Sequence, residues 1–235
     1  MKEYVKKQLE RIFAPLAKRR DLDNLFIQLS ALLEIKEVIG PGLLFGPLRE
    51  WALSPDALLI ILREVTSRSD PYVLEFGSGE STVAVAAALR ARGCGHMVTV
   101  EHDAEFAKIV TERLRRNALM KYVDVRVVEM RHFNSRLSPT KYKSYNLANF
   151  NVDFNVALID GPISVFGAET RAIPLEYCLQ RLKGDRVIYF DDAARTDERN
   201  VLRQYLSDYS HVHVQYLETE KGLARLTDKR NSNRG

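Results

Sequence analysis

The feature that most constrains this chain is a regular alternation of short apolar runs and helical segments, which begins near Pro71. Each apolar run has the length of a buried strand, and each intervening segment has helical periodicity. Strands that alternate with helices build parallel βαβ units, so we predict an α/β, doubly wound, Rossmann-like sheet. The predicted strands are residues 72–76, 97–101, 123–128, 154–160 and 186–191, and the predicted helices are 81–92, 103–119, 170–182 and 196–206.

The last part of the chain breaks this alternation. Residues 211–217 and 222–227 are strand-like runs joined by residues 218–221, a connection too short for a helix. They must therefore pair as an antiparallel terminal hairpin, which gives a seven-stranded sheet with a reversed end. A dehydrogenase of similar architecture would end in a further parallel strand instead.

The N-terminal part carries apolar residues at helical spacing and is interrupted by Gly40-Pro41-Gly42. Ser54-Pro55-Asp56 then predicts the start of a further helix. These apolar helices could pair two copies of the chain as a homodimer. We predict an N-terminal helical cap or extension over 1–65, a main domain over 66–228 and a flexible tail over 229–235.

Composition excludes several classes of protein. The 235 residues suffice for one compact domain, and no run approaches the roughly 18 apolar residues that a membrane-spanning helix needs. The charged N-terminus does not resemble a secretory signal. Cys94 and Cys178 are too few for a disulfide framework, and a net charge of +4 argues against a nucleic-acid partner. We therefore expect a cytoplasmic protein.

A glycine-rich turn follows the first predicted strand, in the sequence Glu75-Phe-Gly77-Ser-Gly79-Glu-Ser81-Thr82. Glycine lets the backbone turn tightly there and lets a ligand approach the start of the next helix. Glu101 ends the second predicted strand, 22 residues after Gly79, where a carboxylate can accept both hydroxyls of a ribose. The turn therefore predicts an adenosine-containing cofactor.

Two residues of the turn favour S-adenosylmethionine over a dinucleotide. Thr82 stands where the dinucleotide fingerprint has a third small residue. Glu75 would repel a pyrophosphate, whereas it can pair with a cationic amino-acid group. S-adenosylmethionine carries an ammonium and a sulfonium and has no phosphate.

Four blocks within residues 71–227 resemble class I S-adenosylmethionine-dependent methyltransferases. Residues 74–82 are similar to a variant first motif of that family, LEFGSGxST, and the other blocks are similar to its motifs after the second, fourth and fifth strands. The resemblance implies the same fold, with its reversed final strand, and the same cofactor. The three further blocks are residues 100–103, 159–162 and 189–193.

The resemblance also implies roles for the glycine turn. Gly77 and Gly79 would lie beneath the methionine part of the cofactor, together with Ser78. Glu75 would face the ammonium, directly or through water. Ser81 and Thr82 would cap the helix and reach the carboxylate.

Three further residues are implied for the adenosine part. Glu101 would hold the ribose, and His102 would lie beside the adenine. Glu129, after the third strand, is the nearest candidate for the acid that reads the adenine amino group.

Three carboxylates follow the fourth and fifth predicted strands, namely those of Asp160, Asp191 and Asp192. Such carboxylates could hold Mg²⁺ or another hard divalent cation, which would lower the pKa of an acceptor hydroxyl. The pattern resembles metal-dependent catechol-type and sugar O-methyltransferases. Two other roles stay open, because Asp160 could act as a direct general base, and Asp160 and Asp192 could merely cap loops or contact the cofactor and Arg195.

Arg171 and Arg195 follow the same strands and could clamp an anionic substrate or form salt bridges with Asp160 or Asp192. Asp160, Asp192 and Arg195 are therefore our candidate catalytic residues. His132 and residues 141–145 lie in the long segment before the fourth strand, where we expect substrate specificity.

We thus expect a methyltransferase that acts on an oxygen atom of a small molecule or sugar. Two alternatives stay open, a methyltransferase that acts on RNA or protein through the basic N-terminal helices, and a module that binds the cofactor without catalysis. Trp51 could wall the cofactor pocket or could pack in the core.

Overall fold

The computed structural model describes residues 2–40, 43 and 52–229. For residues 2–20 it describes the helical backbone only, and from residue 21 onward it also describes the side chains. Trp51 and residues 230–235 of the predicted tail therefore lie outside the described residues. The helices are α1 Lys2–Ile39, α2 Pro55–Ser67, α3 Glu80–Arg92, α4 Ala104–Arg116, α5 Ala172–Leu179 and α6 Thr196–Leu206. The strands are β1 Tyr72–Phe76, β2 His96–Glu101, β3 Val123–Val127, β4 Met130–Asn134, β5 Lys141–Tyr145, β6 Val156–Ile159, β7 Val187–Asp191, β8 Val212–Leu217 and β9 Leu223–Asp228.

Seven strands form one sheet in the order β3-β2-β1-β6-β7-β9-β8. In this sheet β3, β2, β1, β6 and β7 are parallel, and β9 runs antiparallel to both β7 and β8. The predicted α/β sheet with a reversed terminal hairpin is therefore confirmed. Since the chain order reverses between β1 and β6, a crevice is expected at the carboxyl ends of these two strands.

Helices cover both faces of the sheet. On one face, α2 packs against the short side chains of α3, with Leu58 and Ile61 of α2 and Ala84 and Ala87 of α3 fully buried. On the other face, α5 and α6 cover Leu74, Ile159 and Phe190 of the central strands. Residues 55–67 therefore share the core of the main domain.

A small hairpin, β4–β5, occupies a segment that we expected to be a long loop. Its inner side chains alternate with outer ones and pack on the core. Tyr142 is buried and stacks on Phe133 at 5.8 Å between ring centroids. The Ser144 hydroxyl donates to the carbonyl of Thr170 at 2.6 Å. The hairpin forms because these alternate residues can be buried.

Helix α1 is a single helix of 38 residues, about 57 Å long at roughly 1.5 Å per residue. Ala31, Ile35 and Ile39 are buried against the main domain. The opposite side of α1 leaves apolar side chains exposed, among them Leu22, Leu25, Phe26, Leu29 and Leu33. Within the described residues, none of the helices combines the length and hydropathy that crossing a membrane requires.

Candidate active site

A cavity of about 460 Å³ opens at the carboxyl ends of β1, β2 and β6. The turn between β1 and α3 forms its base, and the segments after β2 and β6 form two of its sides. The crevice therefore lies where the sheet topology predicts it. The predicted site residues that line the cavity are Gly77, Ser78, Gly79, Ser81, Glu101, His102 and Asp160.

Two glycines let the backbones after β1 and β6 touch at the base of the cavity. Gly77 has a φ of +96°, and a Cβ there would lie 2.7 Å from the nitrogen of Gly161. A Cβ on Gly161 would lie 2.8 Å from the Cα of Gly77 and 2.9 Å from the Tyr145 hydroxyl. Any side chain at either position would push the two strand ends apart.

Glu75 lies one layer beneath the cavity and does not line it. Ser81 and Thr99 donate hydroxyl hydrogen bonds of 2.6 Å to opposite oxygens of its carboxylate, and Thr82 donates a third. Burial nevertheless raises the pKa of Glu75 from 4.5 to about 7. The carboxylate thus ties β1, β2 and the start of α3 together, and a ligand in the cavity would reach it only through Ser81.

Glu101 is an anchored carboxylate on the side of the cavity. Its Oε2 accepts hydrogen bonds from the backbone nitrogen and the hydroxyl of Ser78, at 3.1 Å and 3.0 Å. Its Oε1 accepts from the backbone nitrogens of His102 and Asp103, at 2.7 Å and 2.9 Å. Burial opposes ionisation, but the His102 side chain and the backbone N–H groups of Asp103 and His102 outweigh it and hold the pKa of Glu101 below its usual value.

His102 lies between two aromatic rings. Its ring is edge-on to Phe166, at 5.0 Å between centroids, and lies 6.3 Å from the ring of Tyr145. Its Nδ1 lies 2.7 Å from the Oε1 of Glu101, within the distance of an ion pair for a protonated imidazole. The arrangement places a flat, partly apolar surface beside the Glu101 carboxylate.

Helix α4 adds an apolar side to the cavity. Asp103 caps this helix, because its side chain accepts from the backbone nitrogens of Glu105 and Phe106. Phe106 and Ile109 line the cavity and are 42% and 57% exposed. The sequence analysis missed these two residues. Because Phe106 and Ile109 follow the capping residue Asp103 at intervals of three, the spacing could have placed them on one face of α4.

Arg171 lies inside the acidic cluster that follows β6 and β7. One oxygen each of Asp160, Asp191 and Asp192 lies within 4.8 Å of the others. The Nη2 of Arg171 donates to Asp192 at 2.9 Å and to Asp160 at 3.4 Å, and its Nη1 donates to the Asp191 carbonyl at 3.0 Å. The buried guanidinium therefore neutralises part of the negative charge and connects two strand ends.

The titration of the cluster is strongly shifted. Burial raises the pKa of Asp160, while Arg171 offsets part of the shift and Asp192 adds to it. Burial and the neighbouring carboxylates of Asp160 and Asp192 raise the pKa of Asp191 well above its usual range. Burial also raises the pKa of Glu198, which sequence reasoning missed, to about 7. Only Asp160 of this cluster lines the cavity.

Several oxygens of the cluster have no partner among the described residues. Asp191 Oδ1, Asp192 Oδ1 and Glu198 Oε2 are buried and accept no hydrogen bond. The other oxygen of Asp192, Oδ2, lies 2.9 Å from Nη1 of Arg195, whose side chain is half-exposed. The cluster therefore keeps free ligand atoms even though Arg171 is present.

Besides Glu75, Asp191 and Asp192, three further predicted residues do not line the cavity. Glu129 is exposed in the turn between β3 and β4 and is not part of the lining. Thr82 is buried with Glu75, where its hydroxyl also accepts from the backbone nitrogen of Gly79 at 2.9 Å. Arg195 reaches the cluster through Asp192. The described structure thus brings no acid from the end of β3 to the cavity.

The model of a family described as a methyltransferase domain matches residues 74–193, just over half of the chain. The chain belongs to this family. The matched region contains the glycine turn, Glu101, Asp160, Asp191 and Asp192, so the family model covers most of the cavity lining of the methyltransferase; Ala52 and Leu53 of the lining precede it.

Solved structures show the same fold. The SAH-bound methyltransferase PaMTH1 of Podospora anserina is 15% identical, with a TM-score of 0.63 over 90% of this chain and 95% of that one. An O-methyltransferase of Bacillus cereus in complex with SAH is 19% identical, with a TM-score of 0.56 over 85% and 90% of the two chains. TomG of Streptomyces achromogenes, an O-methyltransferase involved in tomaymycin synthesis, is 16% identical, with a TM-score of 0.54 over 86% and 89%.

These likenesses show that the methyltransferase has the fold of class I S-adenosylmethionine-dependent methyltransferases. None of the curated proteins matches its sequence.

Proposed function

We propose that this methyltransferase transfers a methyl group from S-adenosylmethionine to an oxygen atom of a small molecule or sugar. One observation carries the proposal. A single cavity combines a turn in which Gly77 and Gly79 carry no side chain, the hydrogen-bonded carboxylate of Glu101 and the carboxylate of Asp160. The first two fit an adenosine-containing cofactor, and the third supplies a base at the mouth of the crevice.

The charges that face the cavity favour a cationic nucleoside over a dinucleotide. Glu101 and Asp160 are acidic lining residues. Arg113 also lines the cavity, but it forms a bidentate ion pair with Glu80. A pyrophosphate would therefore meet acidic groups and an arginine that is already paired, whereas a sulfonium and an ammonium are attracted.

Asp160 is our candidate for the group that takes the proton from the acceptor hydroxyl. When bound, S-adenosylmethionine supplies the methyl group to the acceptor oxygen, and the sulfur keeps the electrons of the broken S–C bond. Asp160 is well suited because burial raises its pKa, which strengthens it as a base. Arg171, which also donates to Asp192, holds the Asp160 carboxylate in position.

A hard divalent cation such as Mg²⁺, held by the acidic cluster, is the alternative to Asp160 as a direct base. Asp191 Oδ1 and Asp192 Oδ1 are buried oxygens without a partner, and carboxylate oxygens are the ligands that such a cation prefers. Asp160, Asp191 and Asp192 would hold the cation. Its contribution would be to lower the pKa of the acceptor hydroxyl as a Lewis acid.

We also propose that the outer side of α1 pairs two copies of the chain. Leu22, Phe26, Leu29 and Leu33 follow one another at spacings of four, three and four residues, and each is about half exposed or more. This is the spacing of an apolar seam between helices. Pairing would remove these apolar side chains from water, and this burial would stabilise the dimer.

Binding of S-adenosylhomocysteine, measured by isothermal titration calorimetry, tests the cofactor assignment. Glu101→Gln should weaken binding about tenfold or more, because a hydrogen bond to a charged group contributes roughly 1.5–3 kcal/mol. Glu105→Gln is the matched control, since Glu105 lies on the exposed side of α4 and pairs with Lys108. Absence of binding in the wild type, together with binding of NAD, would overturn the assignment.

Turnover with a set of hydroxylated acceptors, followed as release of S-adenosylhomocysteine, tests the role of Asp160. Asp160→Asn should lower turnover by roughly 10²–10⁴-fold. Turnover is compared at saturating S-adenosylmethionine, so that a loss of cofactor affinity caused by removing the Asp160 charge from the cavity does not contribute to the difference. Equal turnover in the variant would show that Asp160 is not the base.

A further inference from the structure

We propose that a second cavity, beside the cofactor cavity, binds a carboxylate or phosphate group of the methyl acceptor through Lys141, Lys143 and His132. This inference rests on the proposed function and narrows its substrate class to anionic acceptors. The second cavity has a volume of about 240 Å³ and lies between the β4–β5 hairpin and the short turn Ser164–Phe166.

The two cavities are neighbours, because aromatic side chains of their linings touch each other. Phe166 lines the second cavity and contacts the ring of His102, which lines the first. Gly167 fixes this turn against β5, because a Cβ there, at a φ of +125°, would lie 2.7 Å from the Cβ of Tyr142. A molecule of modest size in the second cavity would therefore be close to the cofactor.

The alternation of the hairpin sends its basic residues to one side. Phe133 and Tyr142 pair across the strands on the core side, whereas His132 is opposite Lys143 on the other side. Tyr145 follows Lys143 by two residues, so it lies on the same side, and it lines the cofactor cavity. One side of β5 thus runs from the cofactor cavity to the lysines.

The positive charges on this side of the hairpin are not neutralised by an acidic side chain of the described structure. Arg136, on the same hairpin, pairs with Glu176 and Asp208. Lys141 and Lys143 are exposed and form no ion pair with a described residue. Among the residues that the structure describes, no acidic one lines the second cavity. Two ammonium groups, an imidazole and an aromatic side fit an anionic group attached to a ring.

Lysines on a two-stranded sheet also prevent its edges from pairing with other chains. That role needs positive charge but no ligand, so the test must measure binding. We compare two pairs of probes on protein saturated with S-adenosylhomocysteine, by calorimetry at low ionic strength. The pairs are 3,4-dihydroxybenzoate with its uncharged amide, and glucose 6-phosphate with glucose.

The wild type should bind the charged member of at least one pair about tenfold more tightly than the neutral member. Lys141→Gln/Lys143→Gln should remove this difference, whereas Lys183→Gln, which changes an exposed lysine elsewhere, should keep it. The pair that responds identifies the anion as carboxylate or phosphate. Equal binding of both members in both pairs, absence of binding, or an unchanged difference in the double variant would overturn the inference. Failure to bind S-adenosylhomocysteine at the first step would instead contradict the proposed function.

Discussion

Replacement of Glu75 by glutamine should change how stability depends on pH. Glu75 is fully buried and titrates near pH 7 in the folded chain, against 4.5 for an ordinary glutamate. Below pH 4.5 the group is protonated in both states. Between 4.5 and 7 the unfolded chain ionises while the folded chain keeps the proton, so the free energy of unfolding falls as the pH rises. Above pH 7 both states are ionised and the loss is complete.

The magnitude follows from the size of the shift. A rise from 4.5 to about 7 corresponds to about 3 kcal/mol at roughly 1.4 kcal/mol per pKa unit. Glutamine resembles the protonated acid in shape and does not titrate. The stability of Glu75→Gln relative to the wild type should therefore increase by about 3 kcal/mol between pH 4.5 and pH 7.5.

Urea unfolding at several pH values between 4.5 and 7.5, without cofactor, measures this difference. Since other groups titrate equally in both proteins, only the difference between the two curves is interpreted. Glu105→Gln removes an exposed carboxylate and should give a curve parallel to that of the wild type. A parallel curve for Glu75→Gln would refute the reasoning, because it would mean that the buried carboxylate titrates normally.

Three further predictions concern the cavity, the acidic cluster and α1. Gly77→Ala should weaken S-adenosylhomocysteine binding about tenfold or more and lower the free energy of unfolding by roughly 1–3 kcal/mol. Gly184→Ala is the control for backbone strain alone, because Gly184 has a φ of +65° but open space around it. Unchanged binding in Gly77→Ala would contradict the close approach of Gly77 and Gly161. Excess EDTA separates the two roles proposed for the acidic cluster: if a cation activates the acceptor, EDTA should abolish turnover without changing cofactor binding, and turnover that persists in EDTA would exclude the cation. Sedimentation velocity should find a dimer that Phe26→Glu/Leu29→Glu dissociates and Ile27→Glu, on another side of α1, does not; a monomeric wild type would contradict the proposed pairing.

The sheet could be predicted because its signals are local. Tyr72–Phe76 and Val187–Asp191 are apolar runs with turn residues after them, so length and composition suffice to identify them as buried strands. The hairpin β4–β5 was missed for a physical reason. Lys141 and Lys143 alternate with Tyr142 and Ser144, and only the tertiary structure decides that the latter two are buried.

Part of the cavity lining could be predicted from the sequence. Residues next to the glycine turn and at the end of β2 lie on the cavity because their positions follow from strand ends alone. The burial of Arg171 among the carboxylates depends on contacts between residues about twenty positions apart, which no local pattern contains. Glu75 lies beneath the cavity because hydroxyls from two other elements take up its oxygens.

The hydroxyl network around Glu75 has a thermodynamic consequence for ligand recognition. Thr82, Ser81 and Thr99 already hold the glycine turn in one conformation in the described structure. A ligand that enters therefore has little backbone entropy left to remove, and more of its contact energy is retained as affinity. The heat-capacity change of association should accordingly reflect the apolar area that the ligand covers, without a contribution from coupled folding.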